Sequence, residues 1–355
     1  QGTSAGVSVT APSGSPGGGF NILIRGVSSN GDNGPLVIID GYKGDLNSIN
    51  PSDIESFSIL KDAQAAIYGI EGANGVVLVT TKIGKKNTAV KITYDGYTGI
   101  QQTTRQLPYL NATEYALLLN ESYAANGNPL PFPDVSELGV GTDWQEQLFQ
   151  SAPMTSHNIA ATGGGEKSTY YFGGSILQQD GIIASEKSNF QRANLKIKLG
   201  FELSEKLKFT TSANYFNQKR QTIGENALGT PLFNALNYSP TYSLDQQDLS
   251  GFLGNEVINP LSQIENTYNA YNGNSIEGTF QLDYTPIEGL TITSRIGIKS
   301  YSDKGKTFAP IVNYGSGKVF NNDRSSVNQG RNTYNTYTWE TFANYSKTFF
   351  ENHNA

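Results

Sequence analysis

Apolar and polar residues alternate with a period of two along much of the chain after position 90. The clearest case is Ala193–Leu203, where one face carries Ala193, Leu195, Ile197, Leu199, Phe201 and Leu203, and the other carries Asn194, Lys196, Lys198, Gly200 and Glu202. A period of two is the geometry of a β-strand with two unlike faces. Similar patterns occur in the segments Val90–Gln101, His157–Thr162, Thr169–Gln179, Leu207–Asn217, Ile276–Thr285, Leu290–Lys299 and Tyr337–Phe349. We therefore predict about eight strands, each near the roughly 9–11 residues of a tilted membrane strand.

The segments between these strands alternate in length. Tight turns are predicted at Gly163–Lys167, Ser204–Lys206 and Pro286–Gly289. Long polar loops are predicted at about 106–155, 220–274 and 302–333, with a shorter one at 180–189. Short turns at one rim and long loops at the other are typical of a transmembrane barrel. A soluble sandwich has no reason to sort its connections in this way. The pattern therefore predicts antiparallel strands that contact a lipid bilayer.

The first part of the chain has a different texture, with three short apolar runs at Ile22–Ile24, Leu36–Ile39 and Val76–Val79. Turn-forming dipeptides, of which Asp40-Gly41 is one, separate these runs. Asn50-Pro51 predicts a helix start. Asp62 predicts the N-cap of a second short helix over 63–68, which Gly69 would end. This part of the chain is expected to form a small mixed unit of strands and short helices.

The same residues carry a family resemblance. The blocks IRGV, PLVIIDG, DIESFSILKDAQAAIYG and ANGVVLVTTK occur in this order between positions 24 and 82. Together they resemble the plug domain of TonB-dependent outer-membrane transporters, and their wording is most similar to the SusC-like subfamily. The signature positions of this resemblance are Gly26, Asp40, Gly41, Tyr68, Gly69, Asn74 and Gly75. The implied fold is an α+β plug followed by antiparallel transmembrane β-barrel strands, with the plug at 1–86 and the N-terminal part of the barrel, with its long extracellular loops, at 89–355.

The resemblance also implies an activity and partners. Proteins of this subfamily import oligosaccharides, and some import peptides, across the bacterial outer membrane. A SusD-like surface lipoprotein closes over the substrate, and TonB pulls on a segment before the plug. Two alternatives stay open, namely a siderophore or cobalamin receptor of the same superfamily, and a surface β-protein that binds glycans without transport.

The number of strands raises a question of size. A barrel of about eight strands is filled by its own side chains, whereas barrels that hold a plug have about 22 strands. A plug of 86 residues could not fit inside the smaller barrel. We therefore expect the barrel to continue after Ala355 and the chain to begin inside a longer protein.

Two groups of residues are candidates for function. The resemblance implies that Arg25 and Lys61 pair with carboxylates on the barrel wall and anchor the plug; the alternative is an ordinary solvated cation. Aromatic side chains in the long loops could stack on sugar rings or could pack the loops together. These aromatic candidates are Tyr109, Trp144, Tyr238, Tyr242 and Tyr271.

Several function classes are disfavoured. The net charge of −6 gives no indication of nucleic-acid binding. The chain has no cysteine, and its two histidines, His157 and His353, lie in no metal-ligand or catalytic spacing. No nucleophile or metal-protease motif is present. We therefore expect neither an enzyme nor a cofactor or metal site. No apolar run approaches the roughly 20 residues of a transmembrane helix.

Overall fold

The computed structural model describes residues 5–225, 228–346, 348–349 and 353–354. These residues form a small plug, a large antiparallel sheet and a set of long loops at one end of that sheet. Within the described part of the chain, no helix is both long and apolar enough to cross a membrane.

The plug contains two small sheets. Strands β1 (Val7–Thr10) and β2 (Asn21–Ile24) form an antiparallel pair. The second sheet has the order β4-β3-β6-β5, with β3 at Leu36–Ile39, β4 at Tyr42–Lys43, β5 at Ile54–Leu60 and β6 at Val76–Thr81. The three apolar runs of the sequence therefore form β2, β3 and β6. Their side chains meet in a core of Ile24, Ile39, Tyr42, Ile49, Val77 and Val79.

Short 3-10 helices connect these strands, at Leu46–Ser48, Pro51–Asp53, Asp62–Gln64 and Ala66–Gly72. The helix start predicted at Asn50-Pro51 is confirmed, because the Asn50 side chain accepts a hydrogen bond from the Ser52 amide. The cap predicted at Asp62 is wrong. Asp62 has a φ of 54° and its carboxylate pairs with Arg25, so it is not free to cap the helix. Gly69 has a φ of 61° and interrupts the last of these helices.

The large sheet has eight strands in sequential antiparallel order. They are β7 (Thr88–Gln101), β8 (Ala152–Gly164), β9 (Ser168–Asp180), β10 (Asn189–Ser204), β11 (Leu207–Gln221), β12 (Tyr268–Ile287), β13 (Leu290–Ala309) and β14 (Ser326–Tyr345). The sheet is an unclosed part of a barrel, with β7 and β14 at its two edges. Two further two-residue strands, β15 (Thr348–Phe349) and β16 (His353–Asn354), form a separate pair. The predicted number and antiparallel pairing of the barrel strands are confirmed.

The predicted strand lengths are too short. The strands have 13 to 20 residues, and β12, β13 and β14 have 20 residues each. In the halves of β12, β13 and β14 nearer the long loops, most residues on both faces are polar or glycine, so the hydrophobic alternation that identifies a strand stops while the hydrogen-bonded ladder continues. For this reason the loop predicted at 302–333 shortens to 310–325. At the other end of the sheet, the strand predicted to run to Phe349 ends at Tyr345.

The long loops carry four helices, α1 (Ala112–Ala125), α2 (Trp144–Leu148), α3 (Pro231–Asn237) and α4 (Pro260–Glu265). Helix α1 begins with a capping box in which Asn111 and Glu114 exchange side-chain and backbone hydrogen bonds. Such a box satisfies two amides that the helix itself cannot pair. Helix α1 lies within the first long loop.

The two faces of the large sheet meet different surroundings. The face away from the plug exposes large apolar side chains, including Leu195, Ile197 and Phe280. The opposite face buries polar side chains beneath the plug, including Asn194, Lys196 and Glu277. An exposed apolar face of this extent must be covered by another surface, and a polar face turned toward the plug is the arrangement of a barrel lumen.

Candidate functional site

The contact between the plug and the inner face of the large sheet is predominantly polar. The buried polar side chains on this face include Asn194, Lys196, Lys198, Ser212, Asn214, Ser275, Glu277 and Thr279. They come from β10, β11 and β12, at positions that alternate with the exposed apolar residues. We call the plug-facing contact made around Asp40 the plug seat, defined by Asp40, Gly41 and Tyr42 and by the barrel residues that contact them.

Asp40 is the centre of the plug seat. Asp40 and Gly41 form the two-residue turn between β3 and β4, with φ values of 49° and 87°. Positive φ at both positions suits a tight hairpin turn. This turn brings the Asp40 carboxylate to 2.7 Å from Lys198 Nζ and 3.6 Å from Lys196 Nζ, and all three side chains are buried. The carboxylate also accepts hydrogen bonds from the Thr81 amide and hydroxyl.

The electrostatic balance at Asp40 favours the ionised form. Burial raises the pKa of the carboxyl, but the attraction of Lys198 and Lys196, together with the hydrogen bonds from Lys198 and Thr81, outweighs it. The net pKa of Asp40 is therefore below its ordinary value. Two cations face one carboxylate here, so the removal of that carboxylate would leave two buried cations without their acidic partner.

The residues beside Asp40 extend the same contact. The Gly41 carbonyl accepts a hydrogen bond of 2.7 Å from Arg295 Nη1, and a Cβ at this position would collide with the Arg295 guanidinium. Tyr42 donates a hydrogen bond of 2.9 Å to Glu277, which is paired with Lys299 at 3.0 Å. Burial and the neighbouring Glu277 raise the pKa of Tyr42 well above its ordinary value, so the phenol stays a donor. Glycine at position 41 is thus required by turn geometry and by space.

A second line of contacts joins the short helices of the plug to β8, β10 and β11. Asn194 and Arg192 donate to the carbonyls of Ser48 and Asn47, at 2.8 Å and 2.9 Å. Asn50 donates to the Asn158 side chain at 2.7 Å. These contacts use uncharged groups of the plug, so the charged interaction concentrates at Asp40.

Asp53 is a buried carboxylate on the same side of the plug. Tyr171 of β9 donates a hydrogen bond to it. Burial raises the pKa of Asp53, and the Tyr171 hydrogen bond and the charge of Lys196 offset only part of that rise. Burial raises the pKa of both carboxyls, but the net shifts are opposite, because Asp40 has two close cationic partners and Asp53 has a phenol.

The predicted anchors Arg25 and Lys61 lie on another side of the plug. Arg25 pairs with Asp62 of the plug at 2.5 Å, and both side chains are more than half exposed. Lys61 donates to the Ala5 carbonyl at 2.5 Å. Among the described residues, Asp40 of the plug pairs with Lys196 and Lys198 of the wall, and Lys86, at the end of the predicted plug, pairs with Glu202 of β10. Anchoring by Arg25 and Lys61 stays a prediction.

The other signature residues shape the plug itself. Gly26, Gly69 and Gly75 all have positive φ, and a Cβ at Gly75 would collide with Ile24. The Asn74 side chain accepts from Ser28 at 2.8 Å and donates to the Asp32 carbonyl at 3.0 Å. Tyr68 packs beside the small apolar cluster of Leu36, Ala65 and Val76. These contacts explain why the plug needs these residue types.

The structure separates the predicted loop aromatics into two groups. Trp144 and Tyr238 are buried in the core of the loops, with their rings 5.0 Å apart at right angles. Trp144 donates to the Ser239 carbonyl and Tyr238 to the Gln246 carbonyl. The expectation that these two rings face the substrate is therefore not met, and their surroundings fit the packing alternative.

Tyr109 and Tyr242 are partly buried at the margin of the same loops. The Tyr109 hydroxyl lies 3.0 Å from Asp143, and burial together with this carboxylate raises the pKa of Tyr109 to about 12. Burial and Asp248 raise the pKa of Tyr242 to about 12. A substrate-contacting role for these two residues stays a prediction.

An ion pair that the sequence does not reveal holds the loops together. Lys318 Nζ lies 2.6 Å from Asp248, and both side chains are fully buried. Asp248 also accepts hydrogen bonds from the amides of Phe252 and Leu253, and Lys318 donates to the Gly254 carbonyl. Residues 70 positions apart cannot be paired from spacing alone. The pair joins the loops 222–267 and 310–325 into one body.

Tyr271 belongs to a different group, on the inner wall above the plug. Phe216, Tyr301 and Tyr334 lie in one row across β11, β13 and β14, with Ser275 of β12 between the first two. The ring centroids are 6.4 Å apart for Phe216 and Tyr301 and 6.2 Å apart for Tyr301 and Tyr334. The hydroxyls of Tyr271 and Tyr301 are hydrogen-bonded. We call Phe216, Tyr271, Tyr301 and Tyr334 the lumen aromatic row. Strand parity alone places Tyr301 and Tyr334 on the inner face, a signal that a search restricted to loops overlooks.

The lumen aromatic row faces the top of the plug. A cleft of about 350 Å³ lies between them, lined by Asp45, Asn47 and Ser48 of the plug and by Phe216, Gln218, Lys299, Tyr301 and Tyr334 of the wall. Flat rings beside amides, a carboxylate and an ammonium can hold a ligand that has both apolar faces and many hydroxyl groups. Among the described residues, no cluster of three or more acidic or histidine side chains could hold a metal ion.

A plug held by polar contacts on the inner face of an antiparallel sheet, whose outer face is apolar, defines the class of plugged β-barrels. Residues 1–76 match the family model of the TonB-dependent receptor plug domain. Among curated proteins, the chain is 33% identical to TonB-dependent receptor P26 of Formosa agariphila, over 99% of this chain and 36% of that protein. It is also 33% identical to TonB-dependent receptor SusC of Bacteroides thetaiotaomicron, over 80% of this chain and 31% of that protein.

Solved structures share the fold. The RagAB peptide transporter matches 100% of this chain and 44% of its own, with a TM-score of 0.80 at 23% identity. The ferric citrate transporter FecA matches 94% of this chain with a TM-score of 0.51 at 12% identity. The chain spans about a third of the length of the curated relatives. It belongs to the SusC-like TonB-dependent receptors, of which it comprises plug and barrel segments.

Proposed function

We propose that this chain is part of an active importer in the bacterial outer membrane, driven by TonB, whose substrate is an oligosaccharide. The observation that carries the proposal is the plug seat, in which ion pairs and hydrogen bonds hold the plug against the inner face of the sheet. Water can replace each of these contacts, so the plug can leave and return without exposing a large apolar surface. A polar plug seat therefore suits a plug that is displaced in every transport cycle.

The lumen aromatic row supports the substrate class. Sugar rings present apolar faces to aromatic side chains and hydroxyls to amides and carboxylates. Tyr301 and Tyr334 supply aromatic faces for a sugar ring, and Asp45 and Asn47 of the plug supply polar groups across the same cleft. A ligand held here would contact plug and wall at once, so its binding could influence how firmly the plug is seated. Peptide, the other substrate suggested by the family resemblance, is the alternative outcome of the test.

We further propose that the whole protein works with a SusD-like surface lipoprotein. This partner is inferred from membership in the SusC-like family. The loop body built on the buried Asp248–Lys318 pair would give such a lipoprotein a firm surface to close against.

The experiment measures uptake and binding in the whole protein. Tyr301→Ala and Tyr334→Ala are each expected to weaken oligosaccharide binding about 3- to 10-fold, since an aromatic contact contributes roughly 0.5–1.5 kcal/mol beyond its buried area. Tyr337→Ala is the matched control, because Tyr337 lies on the same strand as Tyr334 but faces outward. Binding is measured by calorimetry with a panel of oligosaccharides and short peptides, and uptake is measured in cells with and without a proton-motive force.

Three results would contradict the proposal. Uptake that continues after collapse of the proton-motive force would exclude TonB-driven transport. Equal binding by the Tyr301→Ala, Tyr334→Ala and Tyr337→Ala variants would exclude the lumen aromatic row as the binding site. Binding of peptides but not of oligosaccharides would replace the substrate class and leave the transport proposal standing.

A further inference from the structure

The outward face of β10–β14 changes from apolar to basic with increasing distance from the short turns. The continuous register lets residues be read as rows that run across five strands. One outward row consists of Leu199, Thr211, Phe280, Ile296 and Trp339, and the next consists of Ile197, Ala213, Gly278, Ile298 and Tyr337. The row after these still carries Leu195, Tyr215 and Ile276. These rows form an apolar band on the face away from the plug.

Two rows further from the short turns, the same face becomes basic. There the register aligns Gln191, Lys219, Asn272, Lys304 and Arg331. Lys306 follows one row higher, opposite Gln329. We call Lys219, Lys304, Lys306 and Arg331 the basic patch. All four side chains are exposed, and no ion pair to them is found within the described residues.

The charges of the basic patch are not balanced within the sheet. Lys304 and Arg331 are direct cross-strand partners, an arrangement that is unfavourable for like charges. The outward positions of described β10–β14 at this height carry no carboxylate. The nearest outward acid is Asp180, on the neighbouring strand β9 opposite Asn189. A bound anion between Lys304 and Arg331 would relieve this repulsion.

A groove that could hold an anion lies beside this pair and includes Lys304 in its lining. It has a volume of about 400 Å³ and is lined by outward residues that include Gln191, Lys219, Asn272, Lys304 and Lys306. Amide side chains interleave with the cations, so an oxygen-rich group meets neutral donors as well as positive charges. A phosphate with neighbouring hydroxyl groups has this chemistry.

The height of the groove identifies the source of the phosphate. From Leu195 in the last apolar row to Gln191 in the basic row is four residues, which is about 10 Å along the membrane normal for a strand tilted by roughly 40°. The polar headgroup layer begins where the hydrocarbon ends. Long Lys and Arg side chains reach back toward that boundary while keeping their charge in the polar layer. The basic patch therefore lies beside lipid headgroups, on the side of the long loops.

We propose that the basic patch binds the phosphorylated headgroup of a glycolipid in the outer leaflet of the membrane. The inference rests on the proposed outer-membrane location. The lysines and Arg331 bind the phosphate, and the row of Gln191 and Asn272 contacts the sugar hydroxyls. Such a lipid would hold the outer wall of β10–β14 at a fixed depth without occupying the lumen.

The test compares two double variants of the whole protein in lipid nanodiscs. Lys304→Gln with Arg331→Gln removes the opposed pair. Lys167→Gln with Lys206→Gln removes the same charge at the turns of the opposite rim and serves as control. The probes are purified lipopolysaccharide, the same lipopolysaccharide after phosphatase treatment, and inorganic phosphate. Retained lipid is quantified by native mass spectrometry.

We expect the Lys304→Gln/Arg331→Gln variant to retain lipopolysaccharide about 30-fold more weakly than the control, which follows from the usual contribution of two basic residues near an anionic surface. Dephosphorylated lipid should show no difference between the two variants. Equal retention of intact lipopolysaccharide by both variants would overturn the inference. Displacement of the lipid by inorganic phosphate at comparable concentration would also overturn it, because the site would then be one for the free anion.

The outcome can be separated from that of the proposed function. Lipid retention is measured on purified protein without uptake. A protein that fails to import oligosaccharide but still prefers phosphorylated glycolipid would refute transport and keep this inference. A protein that imports oligosaccharide and shows no phosphate preference would do the reverse.

Discussion

Asp40→Asn tests whether the plug seat is held by charge. The substitution keeps the size and the turn preference of residue 40 but leaves Lys196 and Lys198 buried without their acidic partner. The loss of one member of a buried ion pair costs about 3–5 kcal/mol. Since each 1.4 kcal/mol is a factor of ten, the seated state should lose about a hundredfold to a few thousandfold in population relative to the displaced state.

The assay is the leak of a hydrophilic antibiotic that is too large for general porins into cells that express the whole protein. Asp40→Asn should raise sensitivity to this antibiotic. Glu71→Gln is the control, since it breaks the exposed pair of Lys43 and Glu71, which contributes about 1 kcal/mol at most. Hydrogen exchange of the purified proteins should report faster exchange in β3 and β6 for Asp40→Asn only.

A rescue variant tests the cause of the leak. Replacement of Lys196 and Lys198 by Met in the Asp40→Asn background removes the uncompensated cations and should restore much of the seating. Equal leak from Asp40→Asn, Glu71→Gln and the unaltered protein would refute the reasoning. A leak that the rescue does not reduce would show that the turn, and not the charge, is responsible.

The pH dependence of the seat has a definite sign. The pKa of Asp40 is lower in the folded protein than its ordinary value of 3.8, so the contribution of its ionised form to stability is complete above that value. It is lost as the pH falls through the lower, folded value. The seat should therefore be insensitive to pH between neutrality and about 4, and the difference between Asp40→Asn and the unaltered protein should disappear only in stronger acid.

Two further substitutions test other parts of the molecule. Ile197→Arg, on the outward apolar band, should reduce barrel assembly in heat-modifiability gels, because an arginine near the bilayer centre costs roughly 2–4 kcal/mol. Gln191→Arg on the same face of β10 is the control. Equal assembly of the two variants would contradict the outward orientation of Ile197. Lys318→Met should expose the amides of Phe252 and Leu253 to faster hydrogen exchange, since it leaves Asp248 buried and unpaired; unchanged exchange at these two amides would mean that the loop body does not depend on the ion pair.

The parts of the fold that are predictable from sequence are those where a strand divides two unlike surroundings. Residues 193–203 are recognised as β10 because lipid on one side and the plug on the other impose opposite residue types on alternating positions. Strand β5 (Ile54–Leu60) is missed, because four of its seven side chains are exposed in a row and no alternation marks it. It becomes a strand only through its pairing with β6.

The site is less predictable than the fold, for a physical reason. The tight turn at Asp40-Gly41 follows from local chemistry, and the inward direction of Lys196 and Lys198 follows from strand parity. The contact of these two lysines with Asp40 follows neither from the turn nor from strand parity, because it depends on how the plug is placed against the wall. The pairing of Asp248 with Lys318 likewise depends on the packing of two loops that are distant in sequence.

The alternation in β10 has a consequence for how this strand finds its place. Lys196 and Lys198 point to Asp40, while Ile197 between them points outward. A shift of one residue along β11 would turn both ammonium groups into the hydrocarbon and bring Ile197 against the buried carboxylate. Each lysine placed in the hydrocarbon would cost about 2 kcal/mol or more. During assembly the shifted register is therefore disfavoured on both faces of β10, by the membrane on one and by the plug on the other.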